Sequence, residues 1–204
     1  MRIAKSSRNV AAALSISLLG PALGLAQAAP GSIEVGVGGG RFFGGSLPQG
    51  STNFQEELRA DDDILKGVWV GAQLTREWSV EVAVRRTQTR LVFAGEGVFP
   101  TEPEVVGFDF ATIEAASLYS FRLGNLLPYV GVGLGVANLD PNAPNPAIRD
   151  SNRFAVSVAG GARFYAARWL GVRVDARGRA TNLEGGHWFR NVDVLGGVFL
   201  SFGS

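Results

Sequence analysis

Between Trp169 and Ala180 the chain alternates strictly in polarity. Leu170, Val172, Val174 and Ala176 fall on one side, and Gly171, Arg173, Asp175 and Arg177 on the other, with Arg179 following Gly178. A period of two marks a β-strand with one apolar face and one charged face. The same pattern recurs along the chain. It predicts strands over Ser32–Phe43, Ile64–Leu74, Trp78–Arg90, Phe108–Arg122, Pro128–Val136, Arg153–Tyr165, Trp169–Ala180 and His187–Phe202. Phe108–Arg122 alternates least cleanly, because Leu118 falls on its charged side.

The connections alternate as well. Long polar stretches at Gly44–Asp63, Phe93–Gly107 and Asn138–Asn152 take turns with short ones at Thr75–Glu77, Gly124–Leu126 and Ala166–Arg168, and a middling one covers Asn182–Gly186. Eight strands with short turns at one end and long loops at the other are the layout of an all-β, antiparallel transmembrane β-barrel, with short periplasmic turns and long extracellular loops. A soluble up-and-down barrel also has eight strands, but its charged face points outward.

The charged face decides between them. It carries Glu34, Glu81, Arg85, Glu114, Arg163, Arg173, Asp175, Arg177, Arg179 and Asp193, five acids and five bases. A confined interior must balance its charges in this way, because an unpaired buried charge costs several kcal/mol. Gly36, Gly38, Gly131, Gly133, Gly135 and Gly161 share that face and leave room for arginines from other strands. Aromatic residues supply a separate signal. Trp78, Tyr119, Phe121, Phe164, Tyr165, Trp169 and Phe202 collect near the short-turn end, and Phe42, Phe43, Phe93, Phe108, Phe154 and Trp188 near the long-loop end. Two such belts are expected of interfacial anchors. The face assignment is therefore lipid outside and charges inside, with Trp78, Tyr119, Phe121, Tyr165, Trp169, Trp188 and Phe202 as membrane-interface aromatics.

Composition narrows the functional classes. Arg2, Lys5 and Arg8 precede an apolar run from Val10 to Leu25, and Ala26-Gln27-Ala28 offers a small-x-small cleavage site. Residues 1–28 read as a signal peptide and 29–204 as one barrel domain. Of 19 basic residues three lie in that leader, which has no acid, so residues 29–204 carry 16 bases against 18 acids, a balance of −2. Nothing there points to nucleic acid. The absence of cysteine removes disulfides and thiolate metal sites. No later run approaches the roughly 20 apolar residues of a membrane helix, so only a barrel would place the chain in a bilayer.

Other motifs favour plain readings. The glycines at 131, 133 and 135, and at 36 and 38–40, open no helix and sit in no βαβ unit, so they are not read as nucleotide-binding. His187 beside Trp188 is read as a loop histidine without a nearby serine nucleophile. Glu56, Glu57, Asp61, Asp62 and Asp63 are read as a solvated acidic loop rather than a divalent-cation site. Arg86 and Arg90 sit where they would touch either lipid phosphates or water.

Two segments carry a family resemblance. Leu127-Pro128-Tyr129-Val130-Gly131-Val132-Gly133-Leu134-Gly135 resembles the PYVGxGxG strand of the small eight-stranded outer-membrane β-barrels, the OmpA/OmpX-like and opacity-type proteins. Gly197-Val198-Phe199-Leu200-Ser201-Phe202 resembles the C-terminal assembly signal of such barrels, although Gly203-Ser204 follow it and Leu195 stands where a polar residue is usual. No peptidoglycan-binding domain is expected after it. The resemblance implies a location in the cell outer membrane, contact with its lipid and lipopolysaccharide, delivery through the barrel-assembly machinery by the C-terminal strand, and an extracellular partner for the loops. It implies no cofactor, no metal and no enzymatic activity. The expectation is a structural or surface-interaction barrel with a charge-filled lumen. A narrow porin-like channel or transporter for small molecules, and further off a lipid-modifying enzyme, remain the alternatives.

Overall fold

The computed structural model describes residues 29–45, 56–60, 62–95, 105–141, 151–182 and 188–203. The leader (1–28), His187 and Asp61 lie outside them. Nine strands occur among these residues: β1 (Ile33–Phe43), β2 (Glu56–Ala60), β3 (Asp63–Gln73), β4 (Trp78–Gly95), β5 (Val105–Ser120), β6 (Leu126–Pro141), β7 (Ser151–Tyr165), β8 (Leu170–Asn182) and β9 (Trp188–Phe202). All pairings are antiparallel, and β4 with β5 and β1 with β9 close the sheet on itself.

There are eight staves, because β2 and β3 lie end to end along β4. Ala60 faces Leu91 and Leu65 faces Thr87, so the two pairings are displaced from each other by one residue. β2 falls within the stretch that polarity assigns to a loop. Its sequence, Glu-Glu-Leu-Arg-Ala, has no alternation to betray it; it is a strand because β4 runs on to Gly95 and offers an edge. Strands β5 and β6 are likewise longer than the alternation predicts, reaching Val105 and Pro141 at the loop end.

The register fixes the width of the barrel. Hydrogen-bonded partners lead from Ile33 through Ala72, Val80, Ser117, Val132, Val158, Gly178 and Val192 back to β1 at Phe43. That return is 10 residues beyond the start. Such a stagger in eight staves tilts the strands by roughly 35–45° and leaves a lumen that side chains just fill. Every residue on this path points outward, so one consistent face runs around the wall.

The tight turns use local chemistry. Gly124 has φ of +64° in the two-residue turn where the Leu126 N–H donates to the Leu123 carbonyl at 3.2 Å. Asn125 keeps φ negative, so this is a II′-type hairpin, the kind that matches strand twist and calls for glycine first. At the β3–β4 turn the Thr75 hydroxyl accepts from the backbone N–H groups of Glu77 (3.2 Å) and Trp78 (3.0 Å).

Burial is inverted relative to a water-soluble protein. Among the described residues, 32 large apolar side chains are exposed, and all ten charges of the inward face are buried. The largest apolar patch of a soluble monomer is usually about 300–600 Å²; here the apolar belt encircles the molecule. Of the sequence-assigned anchors, Trp78, Phe121, Trp169, Trp188 and Phe202 are exposed on the outer wall, and half-buried Tyr119 packs edge-on against Trp78 and Phe121 with centroids 5.2 Å apart. Tyr165 is a correction. It is fully buried in the lumen, because alternation carried from inward Arg163 places Phe164 outside and Tyr165 inside. Phe42 is likewise inside, and only Phe43 of that pair faces out. The side chains of Phe93 and Phe108 are outside the described set.

Two neighbouring positions test the faces. Val174, 59 % exposed between the two ends of β8, should cost about 2–4 kcal/mol when changed to arginine, since the new charge meets lipid. Val174→Thr should cost far less. Refolding yield in phospholipid vesicles across a urea titration measures both. Equal stability of Val174→Arg and the parent would overturn the outward assignment.

Candidate functional site

The lumen is the place where charged and aromatic side chains converge. Each stave delivers one or more to it at alternate positions, and the ten charges come from β1, β4, β5, β7, β8 and β9. Strand β8 contributes four, Arg173, Asp175, Arg177 and Arg179, and so forms the spine of the arrangement.

The ten form one connected network. Glu81 pairs with Arg173, whose second nitrogen reaches Asp175 at 2.9 Å. Asp175 accepts from Arg85 at 2.5 Å, Arg85 approaches Asp193 at 3.5 Å, and Asp193 meets Arg179 at 3.0 Å. Arg179 reaches Glu114 at 3.2 Å, Glu114 meets Arg177 at 2.5 Å, and Arg177 returns to Glu81 at 3.2 Å. Four acids and four bases thus alternate in a closed circuit. Arg177 also lies 3.6 Å from Asp175 across the ring. Arg163 joins Glu34 (3.4 Å) to Glu81 (4.0 Å) and continues the network toward the short-turn end.

Guanidinium geometry makes this possible. A planar fork can serve two carboxylates at once, as an ammonium cannot do with the same directionality. Three of the five carboxylates also accept from a hydroxyl. Tyr129 donates to Asp175 at 2.7 Å, Ser157 donates to Glu114, and Tyr165 donates to Glu34. Tyr129 also stacks under two guanidinium groups, with Arg173 4.9 Å and Arg163 5.1 Å from its ring centroid, while Arg173 lies 5.0 Å from the ring of Trp69. Such contacts contribute about 2 kcal/mol or more when desolvated.

Glycine makes the room. A Cβ at Gly36 would lie 2.2 Å from the Trp69 indole, so the indole occupies the space that any other residue on β1 would fill. The glycines of the charged face are therefore packing partners of the lumen's large side chains.

Apolar layers cap the network at both ends, and polarity alone does not announce them. At the loop end Phe42 and Phe110 lie with ring centroids 5.6 Å apart, and Phe110 and Phe189 6.1 Å apart, all three buried beside Leu65, Ala137 and Ala155. At the short-turn end Tyr165 and Phe199 stack edge-on at 5.1 Å next to Leu127. The signal for the inward phenylalanines was present, since Phe110 and Phe189 each sit two residues from an inward polar position, Thr112 and Asn191. That they meet across the lumen required the register.

The remaining sequence candidates fall outside this centre. Asp62 accepts from the Gly44 backbone N–H at 3.2 Å and Asp63 from that of Ile64 at 2.6 Å, so both carboxylates tie down the junction between β2 and β3. Arg86 is exposed on the outer wall and pairs with Asp109. The side chains of Glu56, Glu57 and Arg90 lie outside the described set.

Comparison with known proteins gives a consistent placement. The crystal structure of the outer membrane protein OprG from Pseudomonas aeruginosa is 12 % identical, with a TM-score of 0.67 over 88 % of this chain and 100 % of that one. Neisserial surface protein A is 14 % identical, with a TM-score of 0.61 over 84 % and 99 %. The outer membrane protein AlkL, solved by solid-state NMR in lipid bilayers, is 14 % identical with a TM-score of 0.57 over 100 % and 98 %. At these identities the likeness is one of fold. No curated protein matches the sequence. The family model for the outer membrane protein beta-barrel domain matches residues 12–201, and the chain belongs to that family of outer-membrane β-barrels.

Proposed function

We propose that this is a non-enzymatic outer-membrane barrel with a sealed lumen, exported by its leader and inserted through recognition of β9 by the barrel-assembly machinery, and that its role lies at the cell surface. The observation that carries the reading is the closed circuit of buried ion pairs between two apolar caps. A solute would have to displace fully buried Arg177, Asp175 and Asp193 from each other and part the Phe42–Phe110–Phe189 layer. Breaking one buried pair costs about 3–5 kcal/mol, and the circuit shares its members, so several would break together.

The surface role follows from where the strands extend. β4, β5 and β6 continue to Gly95, Val105 and Pro141, beyond the outward apolar runs that start at the short turns and end at Val84, Ala111 and Val136. They form a paired stem under the connection between β4 and β5 and at the start of the one between β6 and β7. A partner binding there would meet loops held by paired strands rather than by free chain, which lowers the ordering cost of binding.

Planar-bilayer recording tests the seal. The unmodified protein should show negligible single-channel conductance at moderate salt. A steady, large conductance would overturn the reading and make the protein a pore.

Selective damage to the circuit should open it. Glu81→Gln with Glu114→Gln leaves Arg173, Arg177 and Arg179 short of carboxylates. That pair of changes should produce flickering currents or lower the midpoint of thermal unfolding by gel mobility. Phe110→Ala alone removes part of the upper cap and should destabilise by about 3–5 kcal/mol as a large-to-small change, with no current while the ion pairs hold. Current from Phe110→Ala alone would mean that the caps, not the charges, form the seal.

A further inference from the structure

The apolar belt has a notch on one side. Outward positions counted from the short-turn end run for six residues before the first amide or charge on β6 (Leu126 to Val136), β7 (Phe164 to Phe154), β8 (Leu170 to Ala180) and β9 (Phe202 to Val192), and for five on β5 (Tyr119 to Ala111). Three adjacent staves stop sooner. β1 has four before Arg41, β3 has four before Lys66 when exposed Leu74 at its foot, opposite Trp78, is counted, and β4 has four before Arg86. Each outward step climbs about 5 Å in a strand tilted near 40°. The three cations therefore sit about 5–10 Å below the polar boundary of the other staves. The usual belt is about 25 Å tall, so these cations lie at a depth where the rest of the wall meets acyl chains.

Their arrangement calls for an anion. Lys66 and Arg86 are directly opposed across β3 and β4, an unfavourable placement for like charges. Arg41 stands opposite Ile64, two residues from Lys66 on the same outer face. Asp109 on β5 pairs with Arg86, but Arg41 and Lys66 have no ion-pair partner among the described residues. The three cations thus share one ion-paired carboxylate, that of Asp109, while Asp62 and Asp63 at the end of β3 accept from backbone N–H groups. Beside them a recess of about 650 Å³ is lined by Asp63, Ile64, Lys66, Arg86, Gln88 and Gly107 where β3 gives way to β2. Asp63 uses one carboxylate oxygen on the Ile64 N–H. Directly below lie exposed Val37, Val68, Val84 and Ile113.

We propose that Arg41, Lys66 and Arg86 hold the phosphate of an outer-leaflet phosphorylated glycolipid, whose sugar enters the recess and whose acyl chains run down over the valines below. Charge complementarity and depth both select a lipid: the cations lie within the belt, where a phosphate must be carried by acyl chains. Gln88 at the recess supplies amide hydrogen bonds of the kind a sugar hydroxyl accepts and returns. The other staves have no outward cation at this depth among the described residues; Arg190 on β9 stands above its six uncharged positions. This inference rests on the outer-membrane placement and not on the sealed lumen, so conductance bears on one and lipid retention on the other.

Native mass spectrometry of the purified protein in phosphatidylcholine nanodiscs tests it. The probes are lipid A with both phosphates, the same lipid A without phosphate, and phosphatidylglycerol. Doubly phosphorylated lipid A should be retained about tenfold more than either of the other two. Changing Arg41, Lys66 and Arg86 together to glutamine should remove that preference, Lys66→Gln alone should weaken it, and Arg190→Gln should leave it unchanged. Heat-modifiable gel mobility reports folding of each variant, and the comparison of the two lipid A forms on the unmodified protein stands even if the triple variant fails to fold. Equal retention of both lipid A forms, or a preference that survives in the folded triple variant, overturns the site. Equal retention of phosphatidylglycerol overturns the glycolipid, and displacement of bound lipid A by inorganic phosphate would make it a site for a free anion.

Discussion

Closure of the hydrogen-bond ladder governs this molecule. In hydrocarbon no water can satisfy an unpaired strand edge, so β1 must find β9, and it does so with a return of 10 residues. That stagger sets the strand tilt and the lumen width. The width in turn dictates what the inward residues can be. Room for its five arginines comes in part from glycine, since Gly67 stands opposite Arg85 and Gly197 opposite Arg173.

Within that width the charges have no solvent to fall back on. A buried ion pair is weak evidence for stability, since an apolar core of equal volume often does as well. What the circuit offers is mutual dependence. Each carboxylate of the ring serves at least two guanidinium groups, so one substitution strands more than one partner. The apolar caps at either end keep water from competing for those hydrogen bonds and raise the strength of each, as a low dielectric does. The seal therefore comes from charge pairing in the middle and aromatic packing at both ends.

The outer wall obeys the opposite rule. Its belt is free of amides and charges on β5–β9 up to Ala111, Val136, Phe154, Ala180 and Val192. On β1, β3 and β4 it breaks off early at cations. The two sides of the wall therefore present unequal apolar heights to the leaflet. The break lies beside the junction of β2 and β3, where the register changes by one residue and Asp62 and Asp63 hold the backbone.

The alternation of polarity by itself determined the strand type, the eight staves, the two faces and the ten inward charges, because side chains on a strand point to opposite sides whatever the strand pairs with. It also held the answer for Tyr165. Counting from Arg163 puts that residue inside, whereas its place near a strand end points to the interface, and parity prevails because a strand cannot turn a side chain through its own sheet. Partner choice was another matter. Glu114 meets Arg177 and Arg179, and Glu81 meets Arg173, across separations in sequence that no local pattern encodes; these depend on the stagger accumulated around the closed sheet. The strand Glu56–Ala60 and the stack of Phe42, Phe110 and Phe189 were decided in the same way. One needed the free edge of β4, and the other needed three staves brought to one height by closure.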